Sequence, residues 1–568
     1  MISSWFKPLL PLSIVAAVLA LVASAARNPL RRDLPAIPAI TEADSATTLQ
    51  VADRILSRIW NAAGVDPAEP ADELTILRRL SLALHGTIPS LEEIRLFEAD
   101  REPGRLERWT RRLLDDRRFA DYFAARLSRV FVGADDGQFI LFRRDRFNAW
   151  LADQLHANRP YDQIVRDVLS QQGLWTGSPA TNFVTAAVAD DNLDRNELAG
   201  RTVRAFLGQR IDCAQCHDHP FAPWKQSQFE GLAACFGQVQ ISPVGIEDNP
   251  RLTYEVEDRT TLAKRTVAPA VPFHPEWLPP QGTLRERLAA WVTHPENRRF
   301  ERAAVNRVWG LLFGRPWIEP VDDLPDPPEN EERNAEGDKA DIDSAPANWP
   351  IAGGEDHPSS SDLLDVLGRD FRAHHCDLKR LIGLIAAMQV FRLSSEHPAW
   401  NSGDNADTVD KHWAAFPLTR LRPEQVIGSM SQAASLKTAD RNSHLLFRTI
   451  RLFREIDFVR DYGDLGDDEL TDRAGTIPQA LLRMNGRFSC EMSEPNLVNA
   501  AGRISAMAPG TEPCIELCFL VCLTRRPTAE ELAALAPSFE NIPDNQRSEV
   551  VEDLYWALFN APEFSWNH

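Results

Sequence analysis

Apolar residues recur at helical spacing along most of the chain. Leu74, Leu77, Leu80 and Leu84 form one stripe that ends at Gly86, a residue suited to a helix stop. Pro89-Ser90-Leu91-Glu92-Glu93 predicts a capping box, with Ser90 reaching forward and Glu93 reaching back. Amphipathic helices are predicted over 105–115, 119–132, 147–155 and 161–169. The pattern changes over 238–282, where Leu252, Tyr254 and Val256 alternate with polar residues among frequent prolines. Such alternation predicts a short strand pair or an irregular connection. Helical spacing returns over 283–292, 300–313, 361–373 and 378–390, then from 423 to 564, where Thr528 and Glu531 make a second capping box. The expected fold is mainly α, with two helical domains, 72–237 and 283–565, joined by the connection at 238–282.

The start of the chain reads differently. Lys7 precedes an uncharged, mostly apolar run from Pro8 to Ala26, and Ala23-Ser24-Ala25 offers a small-x-small cleavage site. Residues 1–26 therefore read as a signal peptide or an uncleaved membrane anchor, and the body as exported: periplasmic, in the cell envelope, or anchored at the inner membrane. Residues 27–71, rich in Pro, Ala and Arg, read as a tether with one short helix near 51–62. Residues 325–358 are acidic, hold few large apolar side chains and read as a surface insertion.

Charge and cysteine count narrow the classes. The 568 residues carry 62 Lys+Arg against 82 Asp+Glu, a net charge of −20. That balance argues against nucleic-acid partners, and leaves membrane contact only to the N-terminal segment if it is uncleaved. Eight cysteines in so long a chain exclude a disulfide-built scaffold.

Two of those cysteines carry the chemistry. Cys213-Ala214-Gln215-Cys216-His217 has the spacing of covalent haem attachment. On an α-helix the three side chains fall within about 100° of arc, so both thiols can add to one porphyrin while the imidazole reaches the iron. His219 would point away from His217, and Pro220 takes it out of helical geometry. Distal ligands are sought instead among Met388, Met430, Met484, Met492, Met507, His274 and His294. Two other readings use the same region. Cys213, Cys216, His219 and Cys235 could hold a tetrahedral zinc. Alternatively, Cys213 and Cys216 could form a disulfide, with no cofactor at all.

Other motifs have structural readings. Cys514, Cys518 and Cys522 line one helical stripe and suit core packing. Asn306-Arg307-Val308-Trp309 could face a ligand, or could be core with Arg307 in an ion pair. Asp322-Asp323, with Asp218, could bind calcium, but adjacent Asp residues more often cap helices. His374-His375 sit near a helix end, where histidine is favourable by itself. No G-x-S-x-G, H-E-x-x-H, P-loop or dinucleotide fingerprint is present.

Residues 72–237 resemble the planctomycete cytochrome-type domain of unknown function fifteen-forty-nine. The resemblance rests on Leu77-Arg78-Arg79-Leu80-Ser81-Leu82, Arg159-Pro160-Tyr161-Asp162-Gln163, and Phe206-Leu207-Gly208 leading into Cys213–Phe221. Residues 283–565 resemble its C-terminal companion, domain of unknown function fifteen-fifty-three. There the matching stretches are Ala304–Trp309, Pro320–Asp323, Asp377–Ile382, Arg420–Gln425, Met484-Asn485-Gly486 and Asn560–Phe564. The chain departs from the pattern by the insertion at 325–358 and by lacking the separate N-terminal cytochrome domain of many relatives. The resemblance implies a cytochrome-like role and no particular reaction. The leading expectation is a c-type haem protein for electron transfer or redox support of extracytoplasmic metabolism, working with a redox or enzyme partner. The alternative is a non-redox binding or scaffold protein with zinc or a disulfide at the same residues, linked to polysaccharide degradation.

Overall fold

A computed structural model describes residues 42–134, 142–189, 192–257, 262–327, 360–402, 406–439, 462–463, 470, 476–496, 499–540, 542–543 and 546–568. The expected signal or anchor at 1–26 lies outside these residues, as does the acidic insertion from residue 328 onward. Among the described residues no helix is long and apolar enough to cross a membrane.

Helices dominate, and strands occur as two-stranded pairs. Helix α1 spans Glu42–Ala63 and α2 spans Glu73–His85. Asp72 caps α2 by accepting from the N–H groups of Leu74 and Thr75. Gly86 closes it in the left-handed region at φ 68°, packed so near Tyr122 that a Cβ would strike the ring. Helix α3 (Leu91–Ala99) opens on the expected capping box, with Ser90 Oγ accepting from Glu93 N at 3.1 Å and Glu93 Oε2 from Ser90 N at 2.9 Å. The predicted helices continue as α4 (Arg105–Asp115), α5 (Arg117–Val132), α6 (Arg144–His156) and α7 (Tyr161–Ser170). Helices α8 (Arg195–Leu207) and α9 (Gln226–Ala234) complete the first half.

The connection holds two antiparallel hairpins rather than one strand pair. Strand β1 (Val239–Ser242) pairs with β2 (Gly245–Asp248), and β3 (Tyr254–Glu257) with β4 (Lys264–Val267). The first hairpin is fixed where Ile246 and Gly173 exchange backbone hydrogen bonds. Gly245, at φ 129°, approaches Gly173 too closely for any side chain. Helices α10 (Leu284–Val292), α11 (Arg298–Phe313), α12 (Ser360–Ala373) and α13 (Leu378–Ala387) begin the second half. Helices α14 (Pro423–Ala433), α15 (Thr511–Leu523) and α16 (Arg547–Asn560) are the longest of its remainder among the described residues.

One expectation needs correction. The segment 27–71 is not a tether over its described part. Helix α1 buries Ala52, Leu56 and Trp60, and Trp60 Nε1 donates to the His412 carbonyl at 3.0 Å. The two expected helical domains follow one another along the chain, and their helices pack on one shared hydrophobic core within residues 40–568. Arg78 and Arg79 show why. Both lie on α2, side by side with Leu77 and Leu80, and both are buried. Arg79 donates to the carbonyls of Phe391 and Leu393 at 3.0 and 2.7 Å and lies 3.7 Å from the centre of the Phe416 ring. Arg78 reaches the carbonyls of Glu563 and Phe564, both at 3.2 Å. Thus a first-half helix supplies the hydrogen-bond donors that chain ends in the second half require.

Candidate functional site

The turn that carries Cys213 and Cys216 is held from below. Helix α8 ends at Gly208 in the left-handed region, and Ile211 enters the core at 2% exposure. A 3-10 turn, Asp212–Gln215, follows, anchored by fully buried Ala214. The Asp212 carboxylate lies against α8 at Gly200, where a Cβ would meet its oxygen, and 3.4 Å from Arg204 Nε. The α-helix assumed for the motif is therefore replaced by a tighter turn, and Pro220 keeps the chain from resuming a helix. Cys213 lies within the turn and Cys216 closes it, and both are exposed.

His217 is exposed and its Nδ1 lies 2.8 Å from the Asp218 carbonyl oxygen. A carbonyl only accepts, so Nδ1 carries the hydrogen and Nε2 presents its lone pair. That is the arrangement found in metal-binding histidines, where a second hydrogen bond fixes the tautomer and ring direction. Asp218 is itself fixed, its carboxylate accepting from the Gln226 N–H at 2.9 Å, the first free donor of α9.

His219 has the opposite tautomer. Its Nδ1 accepts from the N–H groups of Phe221 and Ala222 at 3.2 and 2.9 Å, which places the hydrogen of the neutral ring on Nε2. Its backbone N–H closes the turn onto the Trp224 carbonyl at 2.8 Å. Cys235 is buried at the end of α9, with Sγ 3.6 Å from the Gly231 carbonyl, and burial pushes its thiol up to about 12. The zinc set Cys213, Cys216, His219 and Cys235 is thus not assembled: two members face solvent, one caps a turn and one packs in the core. Among the described residues no three His, Cys, Asp or Glu side chains gather as a metal site. No disulfide joins Cys213 to Cys216.

A cleft of about 920 Å³ opens beside Cys216, between the starts of α8 and α9 and the second hairpin. Arg195, Phe229, Glu230, Tyr254 and Arg265 are among its walls. Arg265 pairs with Glu230 at 2.5 and 2.6 Å, and Tyr254 donates to Asn196 at 2.5 Å. Burial, helped by nearby Glu230, raises the Tyr254 hydroxyl above its usual range. Of these residues the sequence marked only Tyr254, through its alternation with polar neighbours; the strand register then sets Glu257 opposite Lys264 and Val256 opposite Arg265.

None of the distal-ligand candidates lines this cleft. Met388 and Met430 are buried in the second half, Met492 is half-buried, and Met484 and Met507 are exposed. His274 and His294 sandwich Trp277 at 4.0 and 4.7 Å between ring centres. His274 Nδ1 lies 2.7 Å from the Glu276 carboxylate, whereas His294 Nδ1 accepts from the Glu296 N–H.

The remaining motifs are structural. Cys514, Cys518 and Cys522 are fully buried on α15. Asn306 clamps Ile318 through both its backbone groups at 2.9 Å, and Trp309 stacks on Phe313 in the core. Arg307 is buried and lines a small cavity with Arg129, Arg201 and Arg204. Asp322 pairs with Arg210 at 2.7 Å, Asp323 is exposed, and Asp218 serves α9, so the three do not form a cation site. His374 bonds the Asp370 carbonyl at its helix end, and His375 and Cys376 continue the turn at positive φ.

Residues 51–241 match the family model described as a protein of unknown function, DUF1549 (PSCyt2). Residues 284–332 and 352–449 match a second model, described as a protein of unknown function, DUF1553 (PSD1). No curated protein and no solved structure matches the chain.

Proposed function

We propose, for a chain that carries a DUF1549 domain followed by a DUF1553 domain, that it is an exported c-type haem protein serving electron transfer or redox support outside the cytoplasm. Cys213 and Cys216 would hold the haem through thioether links and His217 would bind its iron. The observation that carries this reading is the 2.8 Å contact of His217 Nδ1 with the Asp218 carbonyl, which leaves Nε2 as the ring's lone-pair atom beside two exposed thiols. A bound haem supplies reversible one-electron chemistry.

The protein's own residues do the positioning. Ala214 roots the turn in the core, Asp212 ties it to α8, and Asp218 ties it to α9. The exposed face suits a partner that exchanges electrons without entering a deep pocket. A redox or enzyme partner outside the cytoplasm follows from this reading, as does an N-terminal segment that acts in export. The test is expression with haem-maturation machinery, followed by a haem-stained denaturing gel. A covalent haem band supports the reading, and a colourless band of soluble chain refutes it.

A further inference from the structure

We infer that the small cavity between α5, α8 and α11 is a binding site for one tetrahedral oxyanion, sulfate or inorganic phosphate, held by Arg129, Arg201, Arg204 and Arg307. The cavity shares no wall residue with the cleft beside Cys216, and the inference does not depend on the haem reading.

Three helices bring the arginines together. Arg201 and Arg204 sit at i and i+3 on α8 and share a face with Glu197, one turn before Arg201. Helix α8 packs against α5 and α11, which supply Arg129 from the last turn of α5 and Arg307 from the body of α11. Arg307 is buried at 7% exposure, whereas Arg204 keeps 34% of its side chain in solvent, so an ion can enter past it.

The charges on the wall set the sign of the ligand. A guanidinium does not shed its proton, so such groups drawn together away from bulk water are stable only with negative charge among them. The wall supplies two carboxylates against four arginines. One Glu197 oxygen is shared, lying 2.9 Å from Arg201 and 3.9 Å from Arg204. The Asp322 carboxylate turns to Arg210, 2.7 Å away and not part of the wall. The wall is therefore positive, inside a chain whose net charge is −20. Attraction of an anion here is local and owes nothing to the overall charge.

Size and shape select the class of anion. The cavity holds about 60 Å³, room for about four waters. A tetrahedral oxyanion replaces those waters oxygen for oxygen, and planar guanidinium forks grip two of its oxygens at a time. A nucleotide or a sugar is too large for this space.

The test is equilibrium dialysis of the full chain against labelled sulfate and, separately, labelled phosphate, at fixed ionic strength set with chloride. One anion per chain is expected to bind saturably, displaced by the same unlabelled anion and not by more chloride. Binding of either anion supports the site, and the tighter of the two names its ligand. Arg204→Gln and Arg307→Lys should each weaken binding at least about tenfold, the loss of one charge-assisted contact. Arg204 is partly exposed, so its variant keeps the test open should Arg307→Lys fail to fold. Arg487→Gln removes the same charge from a side chain that is 87% exposed and should bind as the native chain does. No saturable binding by the native chain overturns the inference. Equal binding by native chain, Arg204→Gln and Arg307→Lys places the anion elsewhere and overturns it too, as does equal weakening in Arg487→Gln.

Discussion

Asp218 and Gln226 are joined by a 2.9 Å hydrogen bond from the Gln226 N–H to the Asp218 carboxylate. The residue whose carbonyl orients His217 therefore also satisfies the start of α9. The formal cap, Lys225, has no side-chain acceptor to offer, so Asp218 substitutes for it. Replacing Asp218 by Ala should cost about 1 kcal/mol, the usual loss of a helix cap, while Asn should retain most of it. Thermal unfolding of the two variants checks this.

Arg79 supports a prediction about the whole fold. Its guanidinium serves the carbonyls of Phe391, Leu393 and His568 from a buried position. Arg79→Ala strands several buried acceptors at about 1–3 kcal/mol each, so unfolding should fall by at least about 3 kcal/mol. Arg79→Lys should recover little, because an ammonium cannot reproduce the planar fork. Denaturant titration distinguishes these outcomes from a surface role, which would leave both variants near native stability.

His85 sets an acid limit. It is buried beside Arg118 with Nε2 3.0 Å from the Leu113 carbonyl, and burial, then Arg118, lowers its pKa from 6.5 to about 4. The unfolded chain binds this proton more readily, so its contribution to stability is present above pH 6.5 and is lost as pH falls through about 4. His85→Gln, which keeps a donor toward Leu113, should flatten that part of the stability profile. An unchanged acid slope in the variant would assign the loss to other groups.

The tautomers separate the roles of neighbouring residues. His217→Ala should abolish the histidine-iron spectroscopic signature, whereas His219→Ala should preserve it and loosen only the turn. Cys235→Ala should leave cofactor content unchanged, since its thiol lies in the core. Loss of a metal or haem in the Cys235 variant would restore the closed-site reading.

The sequence was most informative where one residue type performs one local task. Gly86, Ser90 with Glu93, and Thr528 with Glu531 all act as their spacing predicts, because caps depend on neighbours within a turn. The spacing of Cys213, Cys216 and His217 is also a local pattern, but the backbone beneath it is a 3-10 turn over Asp212–Gln215 where an α-helix was expected. What could not be read depends on distant partners. Burial of Arg78 and Arg79 needs carbonyls more than 300 positions away, and periodicity treats a charged residue as solvent-facing. Cys235 looked like a ligand by spacing, yet α9 turns its side chain into the core. The cleft arises where α8, α9 and a hairpin meet, a juxtaposition no local pattern encodes.

The central claim is tested most directly by a pyridine haemochrome spectrum of the purified chain after denaturing electrophoresis, with Cys213→Ser/Cys216→Ser as control. The account predicts one covalently attached haem per native chain and none in the double variant. A soluble, folded native chain without covalent haem, produced beside a working maturation system, would contradict it.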